Sequence, residues 1–347
     1  MLKQFEYHHP FILESGRLLN QFHLGYTTHG RLNEHRDNVI WVFHALTANS
    51  DPAEWWSGLV GEGKYFDPAQ NFIICVNMPG SCYGSICPTS INEESGNAFY
   101  HDFPLFTTRD MIRAYQKLKD SLGIKKIKVG IGGSMGGQQL LEWAIEEPSL
   151  FEYIIPIATN AKHSPWGIAF NATQRLCIEQ DITWLQKHHD AGKEGMKVAR
   201  AIALLSYRNY HTYDLTQQGY TSDVGNIFKA ETYQRYQGEK LARRFKAFSY
   251  YFLSKSMDTH DVGRGRGGAV NALAGIKAKT LVVGIRSDLL FPVSEQEFLA
   301  THIPSAALAV IDSDYGHDGF LLEFEQLVPL IDAFKRKSLL ELDYSNG

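Results

Sequence analysis

The chain has 347 residues, 44% hydrophobic and 21% charged, with a formal net charge of −4. This is the composition of an ordinary globular protein with a sizeable core, and its mild acidity excludes a broad basic surface for nucleic acid or anionic lipid. The opening MLKQFEYHHP lacks the basic-then-apolar pattern of a signal peptide, and no run approaches the roughly 18 apolar residues of a membrane span.

Four cysteines, Cys75, Cys82, Cys87 and Cys177, do not make a disulfide framework at this length, so a reducing cytoplasm is expected. Cys82 and Cys87 have no second Cys/His pair nearby, and no metal site is expected.

In chain order, FILES (11–15) and QFHLGYTTHG (21–30) read as antiparallel strands at one edge of a sheet. VIWVFHAL (39–46) and FIICVN (72–77) are almost continuously apolar, as strands covered on both faces must be. TRDMIRAYQKLKDSLGI (108–124) follows a threonine and stops at Gly123, which marks a helix. The strand IKVGIGG (127–133) runs into the helix GGQQLLEWAIEEP (136–148), and YIIPIAT (153–159) is the next strand. From residue 162 to about 262 the strand signal stops. GIAFNATQRLCIEQD, GMKVARAIALLSYR and GEKLARRFKAFSYYFLSKSMD read as amphipathic helices of an insertion, and DVGRGRGG (261–268) as a flexible return to the sheet. TLVVGI (280–285), a helix capped by Ser294 and ended by Pro304, and ALAVID (307–312) complete the pattern. Strand and helix in alternation predict an α/β fold, a mostly parallel sheet flanked by helices. The core is expected to span residues 1–161 and 263–347, with a helical lid at 162–262.

The chemistry centres on Ser134, set among Gly130, Gly132, Gly133, Gly136 and Gly137 between a strand and a helix. Gly132-x-Ser134-x-Gly136 in that context is the pattern of a nucleophile elbow. A phosphate-binding loop fits less well: no Lys-Ser/Thr follows Gly137, and Met135 stands where a dinucleotide loop would carry its third glycine. A serine hydroxyl needs a base oriented by an acid. Asp288 lies just beyond the TLVVGI strand and His317 just beyond ALAVID, so both loops should emerge at the sheet edge that carries the elbow. Asp312 and Asp314 compete for the acid's role but share the histidine's own loop. For the oxyanion the Met135 amide is the first donor, and Leu46, ahead of Ala45 or Thr47, the second.

HALTAN, NMPGSCYGS, GGSMGGQQLLEWA, FNATQRLCIEQD, GRGRGGAVNALAGIKAKTLVVGIRSDLLFP and DYGHDGFLLE together resemble homoserine O-acetyltransferases of the α/β-hydrolase superfamily, from about residue 40 to 325. The resemblance implies acetyl transfer from acetyl-CoA to the hydroxyl of L-homoserine, in methionine biosynthesis, with no bound cofactor and a homodimer contact through the insertion. It implies that Arg208, in LLSYRNY, holds the substrate carboxylate, with Arg175 and Arg200 as rivals, and that Asp318 accepts the ammonium. One departure is GSCYGSICP, where the family usually has GGCxGTTGP. It leaves succinyl-CoA as donor, or serine as acceptor, as alternatives, beside a plain serine esterase.

Overall fold

The computed structural model describes residues 1–220 and 227–345. One eight-stranded sheet contains β1 (Leu2–Tyr7), β2 (Phe22–His29), β3 (Val39–Phe43), β4 (Phe72–Val76), β5 (Ile127–Gly133), β6 (Phe151–Ile157), β7 (Lys279–Ile285) and β8 (Ala306–Ile311). The strands lie in the order β1-β2-β4-β3-β5-β6-β7-β8, every pairing parallel except β1 with β2 and β2 with β4. All five residues of β3 are buried. Trp41 and Phe43 pack on one side, against Tyr115 and Trp143, while Ile40 and Val42 pack on the other with Ile131 and Ile155. Helix layers on both faces thus account for the continuous apolar runs.

The flanking helices are α1 (Thr108–Ser121) and α2 (Met135–Glu146). Between β6 and β7 come α3 (Pro165–Glu179), α4 (Lys193–Tyr207), α5 (Tyr210–Thr216), α6 (Lys229–Ala242) and α7 (Ala247–Asp258). The chain ends with α8 (Val293–His302) and α9 (Phe324–Ser345). The insertion joins the core through a narrow neck, where the Val262 N–H donates to Ala161 O and the His163 N–H to His260 O, each at 2.9 Å.

Four local expectations give way to tertiary effects. FILES is not in the main sheet: Phe11–Ile12 pairs with Leu18–Leu19 in a separate two-stranded ribbon. The sheet edge is β1 instead, a strand whose polar residues fall on both faces and so hide the usual alternation. The long helix read from 238 to 258 breaks between α6 and α7, which buries Phe245 and leaves Lys246 extended at φ −110°. Helix α8 starts at Val293 after Pro292, whose ring presets the entry, and Ser294 falls inside the first turn without capping it.

The GRGRGG return is clamped rather than loose. Arg264 pairs with Glu14 at 2.7 Å, and Arg266 reaches both Glu142 and Glu146 on α2 at 2.5 Å. Arg109 from α1 also binds Glu142 at 2.7 Å, so this buried carboxylate is fully compensated. The arginine charges fix the segment to the core, while positive φ at Gly265, Gly267 and Gly268 lets it turn.

Candidate active site

Ser134 stands between β5 and α2 with φ 58° and ψ −128°. A side chain rarely adopts that conformation, and holding one there costs on the order of 1–3 kcal/mol. Hydrogen bonds on both sides impose it: the Ser134 N–H donates to Ile157 O at 2.9 Å, while Ser134 O accepts from Gly137 N–H at 2.9 Å and Thr159 Oγ1 at 2.8 Å. The glycines around it serve a different purpose, because none from 130 to 137 has positive φ. A Cβ at Gly132 would lie 2.7 Å from Gly136 C, and one at Gly136 would lie 2.2 Å from Phe43 O. They are glycines so that the elbow can press against β3.

Asp288 and His317 follow β7 and β8, and His317 sits in a 3-10 turn, Gly316–Leu321. Asp288 Oδ1 accepts from the N–H groups of Leu290 and Phe291, at 2.8 and 2.9 Å, and Oδ2 is 2.6 Å from His317 Nδ1. Both side chains are buried. The imidazole stacks on Phe291 with 5.1 Å between centroids and meets Tyr207 and Phe320 on other sides. Burial alone would lower the His317 pKa, but the charge and hydrogen bond of Asp288, with the charge of Asp318, carry it above the usual 6.5. The competing acids turn elsewhere: Asp312 pairs with Arg286 at 2.7 Å and Asp314 lies 3.5 Å from His211, both exposed.

Ser134, His317 and Asp318 line one cavity of about 450 Å³ together with Ala45, Leu46, Thr47, Trp55 and Tyr207. Asp288 reaches it only through His317. Among the described residues His317 is hydrogen-bonded at Nδ1 alone, which leaves Nε2 open on the serine's cavity. Apo sites often show such open geometry, which tightens when substrate enters.

Met135 opens α2, where a helix leaves its first N–H groups without internal acceptors, and Leu46 lines the cavity opposite. Two residues that sequence reasoning passed over tie these loops together. His44 Nε2 accepts the Met78 N–H at 3.1 Å, so its proton is on Nδ1, which donates to Ala45 O at 2.9 Å. Burial drives its pKa to about 4 and keeps it neutral. Gln139 Nε2 donates to both His44 O and Met135 O, at 3.3 and 3.1 Å. The signal for His44 was its place directly after a wholly buried strand and two residues before Leu46.

The three candidate arginines have different surroundings. Arg175 is held by Asp258 at 2.6 Å. Arg208 turns onto Asp318, Nε to Oδ2 at 3.2 Å, with its guanidinium over the Tyr315 ring, and it is not among the cavity's lining residues. Arg200 does line the cavity, 5.4 Å from the Tyr207 ring. As for metal, His188, His189 and Asp190 cluster on the insertion surface, where Asp190 already pairs with Lys246 at 2.8 Å.

A strained serine on a strand-to-helix turn, an Asp–His pair on later loops and an α/β sheet beneath them are the arrangement of an α/β-hydrolase fold, and residues 38–324 match the family described as alpha/beta hydrolase fold. The chain is 51% identical over 322 residues to the homoserine O-acetyltransferase of Cyclobacterium marinum, covering 93% of this chain and 92% of that protein. It therefore belongs to the homoserine O-acetyltransferase family. The crystal structure of the Bacillus anthracis homoserine O-acetyltransferase superposes with TM-score 0.84 at 24% identity, over 96% of this chain and 97% of that one. Esterase E22 superposes equally well, TM-score 0.85 at 23% identity, over 96% of this chain and all of that one. The backbone by itself therefore leaves transfer and hydrolysis undivided. No described helix is long and apolar enough to cross a membrane.

Proposed function

We propose that this enzyme transfers an acetyl group from acetyl-CoA to the side-chain hydroxyl of L-homoserine, as a step of methionine biosynthesis, through an acetyl-Ser134 intermediate. The observation that carries the reading is the Asp288–His317 pair facing the cavity that holds Ser134. His317 Nε2 takes the Ser134 proton as Oγ attacks the thioester carbonyl. The N–H groups of Leu46 and Met135 receive the developing oxyanion. The C–S bond breaks, and the thiol leaves with the proton from His317. Homoserine then gives its hydroxyl proton to the same nitrogen and attacks the acetyl carbon, and Ser134 is restored by the reverse transfer. No metal or prosthetic group enters these steps.

An amino acid presents one ammonium and one carboxylate. Asp318, beside the base, suits the ammonium. Arg200 suits the carboxylate directly, while Arg208 orients Asp318 from behind; the family resemblance assigned the carboxylate to Arg208 instead.

The test is a matrix of acetyl- and succinyl-CoA against homoserine, serine and no acceptor. Thiol release from acetyl-CoA should rise at least about tenfold with homoserine, the factor that 1.4 kcal/mol of preference gives. Turnover indifferent to acceptor would identify an esterase instead.

A cytoplasmic location accompanies this function, in keeping with four free thiols. We also propose that two copies pair through the insertion, where Leu176 and Val198 share an apolar depression and Leu205 is exposed nearby on α4. Sedimentation should give a dimer that Val198→Asp disperses; a wild-type monomer at micromolar concentration would refute the pairing.

A further inference from the structure

The insertion side of the cavity carries three cations, Arg200 on α4, Lys240 on α6, and Arg244 in the break between α6 and α7. Several basic residues elsewhere on the insertion are neutralised, Lys197 by Glu194 and Glu239, Arg235 by Glu231 and Lys246 by Asp190. Among the described residues these three have no carboxylate partner. The cavity's acids stand on the core side, where Glu54 accepts from the Asn49 amide at 2.9 Å and Asp318 is paired with Arg208. The lid wall of the cavity is thus positive without internal compensation, a field that draws anions.

Within this wall the positions differ. Arg200 is half-buried beside Tyr207, next to His317. Lys240 and Arg244 are exposed, so they form the outer rim. Arg244 is nevertheless fixed: Nη1 donates to Thr47 O at 2.5 Å and to the Tyr83 hydroxyl at 2.7 Å. Both acceptors are neutral. They orient the guanidinium without cancelling its charge, and Nη2 and Nε keep their hydrogens for another acceptor. Arg266 and Arg109, by contrast, are paired with acids. Arg244 is aimed and left charged.

We propose that Lys240 and Arg244 bind the phosphate groups of the acyl donor, so that the nucleotide end of the thioester lies on the cavity rim while its acyl end reaches Ser134. This rests on the acetyl-CoA reading above. A diphosphate offers the oxygens that a guanidinium fork and an ammonium recognise. The same contact couples donor to chemistry, because Arg244 also holds Thr47, one residue from the Leu46 amide. The segment GSCYGSICP takes part too, since its Tyr83, at a position the family pattern leaves open, supplies one of the two anchors.

The experiment compares two donors on the full-length protein: acetyl-CoA, and the acetyl thioester of N-acetylcysteamine, which carries the same reacting group and no phosphate. The readout is the ratio of their kcat/KM values in the wild type, Lys240→Ala, Arg244→Ala and the double variant. A disturbed oxyanion loop lowers both donors alike and cancels in the ratio. Each removed cation should lower the ratio about tenfold, the value of a charge-assisted hydrogen bond, and added salt should depress acetyl-CoA turnover less in the double variant than in the wild type. If the wild type prefers acetyl-CoA and the double variant keeps that preference, the phosphate assignment is overturned and the donor stands. If the wild type shows no preference for acetyl-CoA, the donor reading itself falls, and this site with it.

Discussion

Ser134→Ala should lower kcat by about five to six orders of magnitude, the loss seen when a nucleophile acting in a triad is removed, and should abolish the acetyl adduct on the peptide that contains residue 134. The fold should survive the change. Alanine keeps the Cβ in the same strained conformation, and the hydrogen bonds that impose that conformation belong to the backbone and to Thr159, not to the serine hydroxyl. Circular dichroism and melting temperature should therefore match the wild type, which separates lost chemistry from lost structure. Intact mass after mixing with acetyl-CoA alone, without homoserine, reads the adduct directly. An adduct that persists in the alanine variant, or a rate within tenfold of wild type, would mean that another group attacks the donor.

The elbow was legible because everything it needs is local: an apolar strand, a helix, and glycines at the points of closest approach. The reason for those glycines was legible too: a strained turn needs small neighbours so that backbone can approach, and the structure gives positive φ to the serine and close contact to Gly132 and Gly136. Asp288 and His317 could be read since each lies just past a buried strand, so the sheet does the long-range positioning. The arginines could not be ranked in the same way. Arg200 and Tyr207 are seven residues apart, two turns of α4, so they share a face, and that face is the one turned to the cavity. Arg208 lies one residue beyond the helix, in extended backbone, and points to the histidine's own loop. Helical periodicity held this information, but which face meets the core depends on packing. The break before α7 was hidden for a similar reason: propensity favours one helix, and burial of Phe245 overrides it. In the resulting gap lies Arg244.

Asp288→Asn should lower kcat about 10⁴-fold while leaving the loop geometry intact, the outcome expected when the orienting acid of a triad loses its charge. The asparagine carbonyl can still accept from Leu290 and Phe291, so its amide nitrogen is left facing His317 Nδ1. Nδ1 must then accept instead of donate, the ring proton moves to Nε2, and the nitrogen that should take the serine's proton already carries one. The pH profile tests the same link independently. His317 works as a base only when neutral, and although burial lowers its pKa, the charge and hydrogen bond of Asp288 with the charge of Asp318 raise it above 6.5. In the wild type kcat/KM should thus fall as pH drops through a value above 6.5. Without the aspartate, burial acts unopposed except by the charge of Asp318, and the acid limb of the residual activity should move to lower pH. A wild-type limb below 6.5, or a limb that stays in place in the variant, would mean that the titrating base is not the imidazole held by Asp288.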